Sequence, residues 1–324
     1  MKPLCRARLF VLSSLLLCTA AAAAQSYPVK PMRLIVADAA GGAPDQLGRI
    51  VSQKLSELLG QQMVVDNRPG ASGALGADIA ARSPADGYSL LLTTTAIYAI
   101  LPSLKKNLAY DPVRDFVPVS RIATASNVLV VNASLPVRTV AELVQIAKSK
   151  PGTLNYASAG VGSPAHLAGE MLNLLAGIKL VHVPYKGAAP ALLDVIAGNA
   201  QLIITSPIAA GGHIQTGRVR PIATTGGERN PALPELPTIA ETLPGYEISQ
   251  SWGVVAPAGT PAPIVTRLNE AIVQAMHASE VKEQVLKTGA VPAGDSAAAF
   301  EAFMARERAR LAEVIVRRGI VLAD

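Results

Sequence analysis

Short runs of Val, Ile and Leu alternate along the chain with segments whose apolar residues return every three or four positions. Arg33–Ala37 reads as a strand. Pro44–Leu59 follows as a helix with Leu47, Val51, Leu55, Leu58 and Leu59 along one stripe. Met63–Asp66 and Tyr88–Thr93 read as strands on either side of a helix at Ala74–Arg82. Further on, Asn127–Val131, Leu154–Ala157, Leu180–Pro184 and Leu202–Thr205 read as strands, and Val140–Ser149, Pro164–Ala176 and Ala188–Ala197 as helices. Uninterrupted apolar strands between helices predict α/β architecture, with a mostly parallel sheet covered on both faces. The last third is different. Pro231 to Pro263 is rich in Pro and Gly around a strand at Ser251–Val255. Helices then end the chain: Pro261–His277, with Thr260 as N-cap and Pro261 opening the first turn, Val281–Lys287 and Ala297–Arg318.

Two extended segments, Phe116–Ala125 and Glu247–Val255, lack a following helix of the βα kind and read as crossovers between lobes. The chain then divides into a lobe of residues 25–125 plus 251–324 and an inserted lobe of residues 126–250. That is the build of a hinged, two-lobed binding protein, with ligands expected outside the carboxyl ends of the strands. Two glycine-rich turns fall at such ends: Ala40-Gly41-Gly42-Ala43-Pro44-Asp45, and Ala159-Gly160-Val161-Gly162-Ser163-Pro164-Ala165-His166. A turn of this kind lets backbone approach a ligand and aims the free N–H groups of the next helix at it, which suits an anion. A side chain added at Gly41 or Gly162 is expected to block that approach. Each residue also has a plainer reading. Ser163 before Pro164 is an N-cap, His166 on the first turn is a packed or capping histidine, Asp45 favours its helix start through the dipole, Arg68 holds its own turn and Trp252 is core.

The first residues set the compartment. Residues 1–24 combine Lys2, Arg6 and Arg8 with an apolar core from Leu9 to Leu17 and an Ala-x-Ala ending before Gln25. This is a Sec-type signal peptide, too short in its apolar core to span a bilayer. It predicts export to the periplasm and cleavage after Ala24. Cys18 follows Leu17, where lipid attachment wants a small residue, so a free protein is expected rather than a lipoprotein. The chain's two cysteines, Cys5 and Cys18, both fall in this segment, so the mature chain has no disulfide and no thiolate metal site. Its formal charge of +6 halves when Lys2, Arg6 and Arg8 leave. Scattered cations and 4% aromatic residues argue against nucleic acid as a partner.

An enzyme is not expected. No Gly-x-Ser-x-Gly elbow occurs, the spacing around Ser72 being wrong, and His166, His182, His213 and His277 do not stand at metal-ligand spacings. Gly160, Gly162 and Ala165 match a dinucleotide fingerprint, but the following strand ends in Val183-Pro184-Tyr185 without an acid for a ribose. No cofactor and no metal are therefore expected.

Several segments in order carry a family resemblance. They are Leu34-Ile35-Val36 with Ala40-Gly41-Gly42 and Asp45; Val65-Asp66-Asn67-Arg68-Pro69-Gly70; Asp86-Gly87-Tyr88; and Tyr110 to Phe116. Asn155 to Glu170, His182-Val183-Pro184-Tyr185-Lys186-Gly187 and Ala256 to Pro261 complete the set. Together they resemble the Bug-type solute receptors, the extracytoplasmic binding proteins of tripartite tricarboxylate transporters. The resemblance spans the mature chain. It implies a Venus-flytrap fold, a monomer in partnership with membrane permease subunits, that clamps a small carboxylate without chemistry. A ligand-sensing subunit that presents its loaded form to a membrane signalling partner is the second reading. The carboxylate grip, carried over by position, falls on Asp38, Ala40, Gly41, Gly42 and Thr94 in the first lobe and on Ser158, Gly162, Ser163, His166 and Ser206 in the second. Two departures stand out. Ala37 and Asp38 replace the aromatic pair usual before the first turn, and Ser206 stands in a segment where many members carry Asp or Asn. Asp38 either faces an amine or hydroxyl of the ligand, favouring amino- or hydroxy-carboxylates over simple dicarboxylates, or points to solvent and is silent.

Overall fold

The computed structural model describes residues 27–105, 107–230 and 233–317. The signal peptide expected at residues 1–24 and the cleavage site expected after Ala24 lie outside the described residues.

The first sheet contains β1 (Met32–Val36), β2 (Met63–Asn67), β3 (Ser89–Thr94), β4 (Phe116–Ser126), β10 (Ser249–Pro257) and β11 (Val291–Pro292), in the order β11-β4-β10-β3-β1-β2. The second contains β5 (Val128–Asn132), β6 (Asn155–Ser158), β7 (Val181–Pro184), β8 (Leu202–Thr205) and β9 (Val219–Thr224), in the order β7-β6-β8-β5-β9. The expectation of mostly parallel sheets is refined here: both sheets are mixed. The βα units give parallel ladders, β1 with β2 and β3, and β6 with β7 and β8. The strands that enter or leave a lobe pair antiparallel, because a chain that turns back without a crossover helix arrives in the opposite sense.

Alternation within the strands explains why both faces are covered. In β1, Leu34 and Val36 pack on one side and Ile35 on the other; in β3, Leu90 and Leu92 oppose Leu91. All six are fully buried, as strands sandwiched between helix layers should be. Helix α1 (Ala43–Leu59) lays Leu47, Val51, Leu55 and Leu59 onto the first sheet, at the spacing read from sequence. The other helices are α2 (Ala74–Ala81), α3 (Leu101–Leu104), α4 (Val140–Ser149), α5 (Pro164–Ala176), α6 (Ala188–Ala197), α7 (Pro207–Gln215), α8 (Ala262–His277), α9 (Ser279–Lys287) and α10 (Ala297–Arg317). No described helix is long and apolar enough to cross a membrane.

Three details differ from the sequence reading. Ala96–Ile100 forms a π-helical turn running into α3, and every residue from Ala96 to Leu101 is buried, so no amphipathic stripe betrays it. Strand β9 contains Pro221 and Arg220, which weaken its signal; it is tolerated because it lies at the sheet edge. Helix α8 begins at Ala262 with Pro261 as its N-cap, since the Thr260 hydroxyl instead donates to the Pro257 carbonyl at 2.7 Å.

Only Asn127 separates β4 in the first sheet from β5 in the second. Thr225 ties this crossover to the returning one. Its hydroxyl accepts the Asn127 N–H at 2.8 Å, its own N–H reaches the Asn127 carbonyl at 2.9 Å, and its carbonyl accepts the Ile248 N–H at 2.9 Å.

Candidate functional site

A cleft opens between the two sheets at the carboxyl ends of their parallel strands. Helix starts converge on it. Ala43 and Pro44 of α1, the Gly70–Gly73 turn before α2, Thr95 and Ala96 at the π turn, Ser163 to Ala165 of α5, and Gly187 and Ala188 of α6 all line it. So does Ser206, which caps α7. First-turn N–H groups have no partner within their own helix, and each start carries the positive end of a helix dipole. Local sequence prunes the surplus donors. Pro164 and Pro207 remove one N–H each, while the hydroxyls of Ser163 and Ser206 accept from the N–H groups of His166 and Ala209, both at 3.2 Å. Each capping serine keeps its own O–H to donate. Thr94, Thr95, Gln250 and Ser251 add neutral polar groups, and Trp252 an apolar wall. Asp38 and Lys186 are the only charged residues among the lining.

The walls of the cleft meet at three glycines of the second sheet's side. A Cβ on Gly160 would stand 3.0 Å from Ser72 Oγ; on Gly162, 2.6 Å from Leu101 Cδ2; on Gly187, 2.8 Å from Asp38 Oδ1 and 3.0 Å from Ala39 Cβ. All three have positive φ (+121°, +81° and +144°), so each is glycine for both backbone and space. Opposite them, the Ser72 hydroxyl donates across the seam to the Val161 carbonyl at 2.6 Å. Ser72 and Ala71 themselves hold left-handed backbone (φ +57° and +49°), the kind of strain that concentrates at ligand clamps.

Beneath the second turn lies a stack of rings. His166 packs on His182 with centroids 4.2 Å apart, and His182 on Tyr156 at 4.9 Å. His182 Nε2 lies 2.6 Å from Ser158 Oγ. Ser158 Oγ also accepts the Gly160 N–H at 3.1 Å, and His166 Nδ1 accepts the Gly162 N–H at 3.2 Å. That last bond needs a neutral imidazole with an open Nδ1 lone pair. Burial, the larger cause, and the neighbouring His166 push His182 down to about 4; burial also lowers His166, against the opposing charge of Glu170. The stack is therefore uncharged at neutral pH and shapes the turn from below.

The candidates from sequence separate by position. Asp38, Thr94, Ser163 and Ser206 line the cleft. Ala40 and Gly41 are exposed outside it. The Gly41 N–H is taken by the Asp45 carboxylate at 2.9 Å, and a Cβ there would meet nothing within 4 Å. A side chain at Gly41 would therefore point into open space and meet no residue of the cleft lining. Gly42 is the N-cap of α1 and lies against Asp38. Ser158, Gly162 and His166 form the layer under the turn, one step behind the cleft surface. Asp45 secures the first turn: burial works against its ionisation, but hydrogen bonds from Arg49, the Gly41 N–H and Asn67 hold its carboxyl below the usual range. The sequence reading missed Ser72, Thr95, Lys186, Gly187 and Ser251 as lining residues. Gly187 opens a helix after a strand just as the two noted turns do, and could have been found by that rule. Ser72 and Ser251 could not, because only folding brings them to the cleft. Among the described residues, no group of three or more His, Cys, Asp or Glu is placed to hold a metal.

The model of the tripartite tricarboxylate transporter family receptor matches residues 47–320. The BugT protein of Bordetella pertussis is 35% identical over 301 residues, covering 92% of each chain. Two solved structures superpose along nearly their whole length. The Rpa4515 protein of R. palustris with adipate gives a TM-score of 0.89 at 38% identity, covering 91% of this chain and 99% of that one. MatC of Rhodopseudomonas palustris with bound malate gives 0.85 at 28% identity, covering 89% and 100%.

Proposed function

The chain belongs to the tripartite tricarboxylate transporter receptor family, a family of solute-binding receptors and not of enzymes, and on that premise we propose that it captures a small carboxylate between two lobes in the periplasm and hands it to a tripartite tricarboxylate-type permease. The observation that carries this reading is the convergence of helix starts from both sheets on one cleft whose lining carries just two charged residues, Asp38 and Lys186. Backbone N–H groups and hydroxyls, backed by helix dipoles, suit an anion. They also release it readily, as a carrier must. Adipate and malate in two relatives support a carboxylate of this size.

In this reading the lobes are residues 25–125 with 251–324, and residues 126–250, hinged where Thr225 joins the two crossovers. Ser163, Ser206 and Thr94 grip the carboxylate directly, while Ser158, Gly162 and His166 act by shaping the turn. Gly41 and Ala40 act only through Asp45 and the first turn of α1. The protein works as a monomer released by cleavage between Ala24 and Gln25.

The test is a thermal-shift screen of protein purified from the periplasm against mono-, di- and tricarboxylates. A ligand at a hundredfold excess over its dissociation constant stabilises by about 2.7 kcal/mol, and it should be recovered unchanged. A panel in which no carboxylate raises the melting temperature would refute the proposal. N-terminal sequencing of the same material should begin at Gln25.

A further inference from the structure

Asp38 is placed in a way that neither its loop nor the anion grip explains. It follows β1 directly, lines the cleft, and has Oδ1 fixed by the Ala39 N–H at 2.7 Å. Across the seam stands Gly187, where even a methyl group would come within 2.8 Å of that oxygen. The carboxylate is thus enclosed between two walls. Among the described residues no cation offsets it: the charge acting on it is that of Asp45, of like sign, and burial, the larger influence, pushes its carboxyl up to about 6. The other charged lining residue, Lys186, is exposed. Above pH 6 the cleft therefore holds a partly desolvated anion without a counter-charge, a costly arrangement unless the ligand supplies the partner.

We propose that Asp38 is the specificity-determining residue of the cleft, and that it receives the ammonium group of an amino-carboxylate whose carboxylate is held by the surrounding hydroxyl and N–H donors. This rests on the carboxylate-receptor reading above and narrows it. The chemistry orders the ligands. An ammonium supplies both counter-charge and a charge-assisted hydrogen bond, a hydroxyl supplies a neutral hydrogen bond only, a bare methylene supplies neither, and a second carboxylate at the same point is repelled.

The experiment is isothermal titration at pH 7.5 of matched pairs that differ only by the amino group at C2: propionate and alanine, succinate and aspartate, glutarate and glutamate, phenylpropionate and phenylalanine. Malate is included as the hydroxyl member of the C4 set. In the best-binding pair the amino member should bind the wild-type protein at least tenfold tighter. Asp38→Asn should weaken that amino member at least tenfold and leave its partner equal or tighter, with a circular dichroism melt no lower than that of wild type. The wild-type comparison stands without the variant. Equal affinity within every pair, or an equal loss for all ligands in Asp38→Asn, would overturn the assignment of Asp38 while leaving the receptor reading intact. Absence of binding by every carboxylate tested would refute the receptor reading itself, and this inference with it.

Discussion

The stacked histidines make the protein's stability and its grip sensitive to acid in a calculable way. His182 is held near pKa 4 by burial and by His166, against 6.5 in an unfolded chain. A lowered histidine value leaves stability intact above pH 6.5. Below that, the unfolded chain takes up a proton that the folded one refuses, and stability falls until the pH reaches about 4. The difference of about 2.5 units, at roughly 1.36 kcal/mol each, sets a ceiling of about 3.4 kcal/mol. His182 keeps partial exposure, so solvent screening reduces the expected loss to about 2 kcal/mol. The perturbation is His182→Gln, which retains a polar group toward Ser158 but does not titrate. Urea unfolding of both proteins at pH 7.5 and pH 4.5 gives four free energies. Wild type should lose about 2 kcal/mol more than the variant between the two pH values. Asp38 runs the other way, since its raised value makes acid favourable to the folded state, but it is common to both proteins and cancels. Ligand affinity should fall only once acid protonates His166 in the folded protein, below the ordinary histidine range, because a protonated His166 cannot accept the Gly162 N–H. If His182→Gln loses as much stability on acidification as wild type, the stack is not the acid-sensitive element.

Ser163→Ala removes the cap on the His166 N–H and a hydroxyl from the cleft; unfolding free energy should drop by about 1 kcal/mol and ligand affinity by tenfold or more in calorimetry. Gly187→Ala places a methyl 2.8 Å from Asp38 Oδ1; it should hold the lobes apart, seen as a larger radius in small-angle X-ray scattering with ligand present than wild type shows. Gly41→Ala meets open space, so it should cost only about 1 kcal/mol for left-handed backbone and leave affinity unchanged in the same titration. Arg220→Ala strips donors from the carbonyls of Ala133, Leu135 and Val137, each within 3.0 Å of the guanidinium; a loss of about 3 kcal/mol in urea unfolding, with ligand affinity retained, is expected.

Hydrophobic periodicity by itself determined the element types, because a strand buried on two faces and a helix buried on one leave different repeats. The stripe from Leu47 to Leu59 and the runs Leu34–Val36 and Leu90–Leu92 are legible for that reason. Capping chemistry is equally local: Ser163 accepts from a backbone three residues away, and the pair Ser163-Pro164 announces it. The π turn at Ala96–Ile100 escaped because a segment buried all round has no period to read.

The strand direction of β10 and the composition of the cleft are another matter. Ser72 meets Val161 across 89 residues of sequence, Ser251 joins Thr95 across 156, and Gly187 must be glycine because Asp38 stands opposite. Packing between segments far apart in the chain sets these pairs, and no local propensity encodes them. The same holds for the charge of the site. Asp38 in sequence is an ordinary loop acid, fully solvated on any local argument. Only the tertiary structure strips part of its water and leaves it without a counter-ion among the described residues, because burial is a property of what the rest of the chain brings near a group, and that decides what the group can bind.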